Sequence, residues 1–172
     1  MKLFPVLTSV ALLTAALPAS AAMKTGEMSP KPNVAVSDVS VSLTLGDAVE
    51  DDVLVQDPGI RKLQVEGFHA ALQTGFDYAF TGGAAYNITL HRADVGMVAG
   101  AVDGGGMVVA ATSQITFQAS VVSDETGDTC KVAGTATAKR TVSSPKHAGS
   151  VVESAMETMI ESIAAECLGS DE

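Results

Sequence analysis

The chain has no tryptophan, two cysteines, three histidines, and only 10 Lys and Arg against 20 Asp and Glu in 172 residues. Each scarcity excludes something. Nucleic acid and anionic lipid headgroups both demand clustered cations. A formal charge of −10, with the acids spread along the chain, argues against either partner. His69, His91 and His147 form no HxH or HExxH spacing, and neither cysteine has a His or Cys nearby at ligand distance in sequence. No metal or other cofactor is therefore expected. There is no GxSxG, and no base stands beside either cysteine, so a frame for nucleophilic catalysis is missing. The acids Glu50, Asp51, Asp52 and Asp57, and Asp124, Glu125 and Asp128, sit in turns and do not follow the EF-hand spacing. The expectation is a protein without catalytic residues.

Residues 1–21 read as a signal peptide. Lys2 opens it, an apolar run from Leu3 to Leu17 follows, and Ala19-Ser20-Ala21 supplies the small-x-small pattern for cleavage between Ala21 and Ala22. The run is short for a helix crossing about 30 Å of hydrocarbon, and no cysteine follows at which a lipid would attach. The expected product is periplasmic or secreted, with no integral membrane segment after cleavage. In an oxidising compartment the two cysteines, Cys130 and Cys167, are most simply a disulfide, two buried thiols being the alternative.

Residues 22–33 are polar, carry Pro30 and Pro32, and read as a flexible leader to a single domain over 34–169. "NVAVSDVSVSLTL" alternates with a slip at Ser37-Asp38, suggesting a bulge in one long strand. Val53-Leu54-Val55 suggests a short strand. From Asp57 to Phe80 the apolar residues recur at helical steps, with Asp57 as cap, Pro58 at the first position and Gly82-Gly83 as stop. Gly67 and Gly75 on that stripe imply close approach of the helix to a sheet. Tyr86, Ile88 and Leu90 alternate, as do Ile115 to Val121 and Cys130 to Ala138 on either side of the turn at Asp124–Asp128. A last helix should bury Val152, Ala155, Met156, Met159, Ile160, Ile163 and Cys167, leaving Glu153, Glu157 and Glu161 outside. Together these give an α+β fold: a single-layer, mostly antiparallel sheet with two helices packed on one face.

"VGMVAGAVDGGGMVVAAT", residues 95–112, is the unusual passage. A phosphate-binding loop would need Lys and Ser or Thr where Met107 and Val108 stand. A membrane span is interrupted by Asp103 and the triple glycine 104–106. The passage reads best as two strand arms, Val95–Val102 and Met107–Thr112, around a turn at Asp103–Gly106. Gly96, Met97, Gly100, Asp103, Gly104, Gly105, Gly106 and Met107 are thus candidate partner contacts, the valines and methionines lying exposed on an adaptable ribbon.

The order strand, helix, strands, helix, and the passage "ALQTGFDYAF…YNITLHRA", resemble small bacterial envelope proteins: YajG-like and LpoB-like lipoproteins and the N-terminal domain of TolB. The chain departs from the lipoproteins in lacking a lipidated cysteine. The resemblance implies a non-catalytic accessory module and assigns no residue a role. Two readings follow. The first is a non-enzymatic exported domain that binds an envelope protein or self-associates. The alternative is a carrier of a small apolar ligand or lipid, held between the helices and the small-residue strand Val132–Ala138.

Overall fold

The structure is a computed structural model in which residues 23–34, 38–57, 60–101, 109–142 and 147–169 are described. The expected signal peptide and its cleavage site lie outside them. Seven strands and two helices occur among the described residues, in an α+β arrangement that is mostly antiparallel. The strands divide between two sheets rather than one. β2 (Val39–Ala48), β5 (Ala84–Ala101), β6 (Val109–Ser123) and β7 (Thr129–Val142) form the larger, in the order β2-β5-β6-β7. The smaller contains β1 (Met23–Lys24), β4 (Ile60–Val65) and β3 (Val53–Asp57), in the order β1-β4-β3. β2 pairs parallel with β5, and β1 with β4; the remaining pairs are antiparallel.

The long helix expected from Asp57 to Phe80 is helical only in its second half. Residues 60–65 form β4, and helix α1 spans only Phe68–Ala79. Pro58, expected at the first helical position, lies outside the described residues, and the strands that precede and follow it pair antiparallel, Val53 with Val65 and Val55 with Leu63. β4 is hydrogen-bonded on both sides, so tertiary pairing overrides a helical period that its short apolar pattern fits equally well. Gly67, expected inside the helix, precedes it with φ 67°, in the left-handed region glycine adopts without Cβ strain. The cap is Asp51, not Asp57. Its carboxylate accepts the His69 N–H at 2.8 Å and its carbonyl the Phe68 N–H at 3.1 Å, satisfying two donors that open the helix. Asp51→Ala should lower the urea midpoint by an amount equivalent to about 1 kcal/mol, while Asp51→Asn, which keeps an acceptor, should retain most of the stability.

Helix α2 (Ala148–Cys167) buries the face expected of it, with Val152, Ala155, Met156, Met159, Ile160 and Ile163 inaccessible to solvent and Cys167 half-buried. It packs on β6 and β7, and α1 packs on α2 and β2. β7 suits this contact because Ala136 and Ala138 let the helix approach closely. Gly134 leaves room for its cross-strand partner, the Phe117 ring, whose edge lies 3.4 Å from where a Cβ would stand. Gly75 does mark a close approach, but to α2 rather than to a sheet: a Cβ there would lie 2.7 Å from Ile160 Cδ1 and 3.3 Å from Pro30 Cβ. Gly75→Ala should therefore destabilise by about 1–2 kcal/mol despite the helix propensity gained. Adding Ile160→Val, which removes that Cδ1, should cost less than the two single changes together, a double-mutant cycle read by urea unfolding.

The 22–33 leader is not loose where it is described. Met28, Pro30 and Pro32 are buried, and the Lys31 and Asn33 N–H groups donate to Glu157 and Glu161 at 2.9 and 2.7 Å. Two of the three glutamates expected on the open face of α2 therefore clasp the strap that crosses it. At the strap's start the Thr25 N–H donates to the Gln64 carbonyl at 3.0 Å. Lys24 pairs with Glu66, whose carboxylate holds the ammonium above its ordinary pKa.

Candidate partner-binding surface

β5 and β6 form one long hairpin arm, with pairing running from Tyr86↔Ser123 to Ala101↔Val109. The strand expected at Tyr86–His91 and the first ribbon arm are thus a single strand, joined through a bulge. The register shifts between Leu90 and Arg92, leaving His91 as the extra residue. β2 shifts opposite it, between Leu45 and Ala48, where Gly46 passes the His91 and Leu90 backbone too closely for an easy Cβ, at 3.2 Å. The bulge expected at Ser37-Asp38 falls before β2 begins and partly outside the described residues. Asp38 stands just before β2 with φ 62°, and residues 35–37 lie outside the described set.

That one-residue slip reverses which side chains face inward. Before it, Ile88 and Leu90 are buried; after it, Ala93 and Met97 are. Met97, expected as an exposed contact, is only 4% accessible, while its neighbour Gly96 is exposed. Met97 pairs with Ser113, the buried hydroxyl of which donates to the Gly96 carbonyl at 3.4 Å. Gly100 is on β5 opposite Ala110. Asp103, Gly104, Gly105, Gly106 and Met107 lie outside the described residues.

The outer face of the larger sheet is polar and exposed: Ser42, Thr44, Asn87, Gln114, Thr116, Gln118, Thr135 and Thr137 alternate with the buried residues. His91 Nε2 meets Ser120 Oγ at 2.9 Å, Thr116 and Thr135 hydroxyls meet at 3.3 Å, and Arg92 pairs with Asp94. His69 Nε2 instead reaches the Val49 carbonyl at 2.7 Å. Tyr78, the aromatic off the main helical stripe, is exposed.

Cys130 and Cys167 are bonded, with Cα atoms 5.6 Å apart, fastening the last residue of α2 to the start of β7. Beside the bond lies a cleft of about 1060 Å³ that sequence reading missed. It is walled by the β6–β7 turn, the end of α2, the starts of β2 and β5, and strap residues Asn33 and Val34. Nothing in the linear order joins these five segments. Val39, Val121 and Leu168 give it apolar patches, but Asp38, Glu125, Asp128 and Glu161 line it, with no Lys or Arg among the described residues of its wall. The space the carrier alternative required, against Val132–Ala138, is occupied by α2.

Among the described residues no group of three His, Cys, Asp or Glu is arranged to hold a metal, and no helix is long and apolar enough to cross a membrane. No family model and no curated protein matches the chain. Among solved structures it is similar to the crystal structure of protein XCC0632 from Xanthomonas campestris, described as DUF330. The identity is 14% and the TM-score 0.42, over 82% of this chain and 88% of that one.

Proposed function

We propose that this is a non-enzymatic accessory domain, exported by the signal at residues 1–21, which binds another component of the bacterial cell envelope through its glycine-rich ribbon. The observation that carries the reading is the extent of the hairpin. Pairing of β5, β6 and β7 continues to Ala101, Val109 and Val142, whereas Ala138 is the last buried residue of β7, and Lys139, Arg140 and Thr141 beyond it are exposed. Lengths explain the difference. The disulfide fixes the C-terminus of α2 at Cys130. A helix of 20 residues spans about 30 Å, while the 14 residues of β7 span about 46 Å. The sheet thus outruns its covering helix at the glycine-rich end. Export is supported by the disulfide, which persists in oxidising compartments. The cleft, walled by four carboxylates, gives no support to carriage of an apolar ligand.

The test is in-cell cross-linking of the C-terminally tagged protein. A stoichiometric envelope protein should be captured, and deleting Gly104–Gly106 should abolish capture while leaving the circular dichroism spectrum and melting temperature unchanged. Recovery of the chain alone, with lipid in its native mass, would overturn the reading.

A further inference from the structure

We infer that the free edge of β7 is a strand-addition site for an extended acidic segment of a partner protein; this deepens the partner-binding reading and rests on it. β7 is terminal in the larger sheet, and among the described residues no strand pairs with its outer side. Along 14 residues it therefore presents alternate N–H and C=O groups unpaired in any ladder, the template strand addition uses. Edges of this length are ordinarily shortened, bulged, broken by proline or guarded by charged side chains, and β7 has only the last of these. The β6–β7 register has no shift from Val109↔Val142 to Val122↔Thr129, and β7 contains no proline.

Charge identifies the occupant. In a chain with twice as many acids as bases, β7 carries Lys131, Lys139 and Arg140 and no acid. Lys131 and Lys139 share the open face with Thr135 and Thr137, all four being exposed, while Val132, Ala136 and Ala138 turn inward. An added antiparallel strand would place side chains directly opposite these positions, where opposite charges attract and like charges repel. Acids eight residues apart on the incoming strand meet both lysines, with β-branched residues between them matching the threonines.

A second copy of this chain is the poorer occupant. Two β7 strands paired antiparallel about Thr135 set each Lys131 against the other's Lys139. Pairing about Ala136 leaves the same lysines diagonal, still near enough to repel. The edge thus opposes its own copy while accepting an acidic strand.

The probe is a labelled twelve-residue Thr/Val peptide with Glu at two positions eight apart, titrated onto the purified disulfide-bonded protein at low salt. Binding is expected, weakened at least tenfold by Lys131→Glu with Lys139→Glu and restored when the peptide carries Lys in place of Glu. Amide exchange should slow along Lys131–Lys139. Unaltered circular dichroism of the variant shows that folding is not the cause. The inference is overturned by no binding at about 1 mM peptide, by binding indifferent to the charge reversal, or by a concentration-dependent dimer that buries β7. If the double variant still captures an envelope protein in cells, the edge inference fails while the ribbon reading stands. If neither protein captures one, the ribbon reading itself fails.

Discussion

Gly83→Ala is expected to cost more than about 4 kcal/mol, enough to leave little folded protein. A Cβ at this position would lie 1.6 Å from the Asp38 carbonyl oxygen and 2.5 Å from the Asp38 Cα, all backbone atoms that no rotamer change can move aside. Gly83 also has φ 91°, a conformation that L side chains rarely adopt. Relief requires β5 to separate from the start of β2. That would break the Ala84 N–H to Asp38 carbonyl bond at 2.7 Å and the Gly82 N–H to Val39 carbonyl bond at 3.1 Å. Those bonds stand where the parallel β2–β5 pair of the larger sheet begins, at Val39↔Ala84. The neighbouring Gly82→Ala is the control, because nothing lies within 4 Å of its Cβ position and its φ is not positive. It should be neutral or stabilising by up to about 1 kcal/mol. Both are read by urea unfolding followed by circular dichroism, since the chain has no tryptophan to report fluorescence. Equal stability of the two variants would sink the argument that Gly83 must lack a Cβ to lie against the Asp38 backbone.

Replacing Cys130 and Cys167 together by alanine should lower stability by roughly 4 kcal/mol, as loop-closure entropy predicts for a closed loop of this size. The sequence separation is 37 residues. A midpoint fall of roughly 8–16 °C corresponds to that loss in a domain of this length. The loss should also be uneven. The bond fastens the end of α2, where the Leu168 N–H still closes on Ala164 at 2.9 Å, but most of the helix is held by its fully buried Met156, Met159, Ile160 and Ile163. Amide exchange should therefore accelerate most over residues 164–168, and least at the paired centres of β5 and β6. Uniform acceleration would mean that the bond secures the whole fold rather than one corner. The same corner walls the acid-lined cleft, so its shape should change with the bond, and the Asp38, Glu125, Asp128 and Glu161 carboxylates would separate.

Much of the architecture was legible because it is written in local period and punctuation. The apolar face of α2, the turn at Asp124–Asp128 with Gly127 at φ 74°, and the alternation of β6 and β7 all follow from spacing that one strand or helix can satisfy by itself. The pairing of Cys130 with Cys167 needed only a count of two. The misreadings share a different cause. Residues 60–65 form a strand because β1 and β3 stand on both sides of them. Asp51 caps α1 from 18 residues away. Glu157 and Glu161 are partners of backbone N–H groups on a strap more than 120 residues distant. Met97 turned inward because one extra residue at His91 reversed the phase of everything beyond it.

By itself, then, the sequence determined an α+β chain, strongly acidic, with one disulfide and an apolar face for each helix, since composition and periodicity act within a segment. The tertiary structure alone decided the division into two sheets, the clasped strap, the cleft at the disulfide and the open lysine-bearing edge of β7. Each depends on which distant segments lie side by side, and a hydrogen-bond partner or a covering helix is chosen by the folded whole rather than by the residues that receive it.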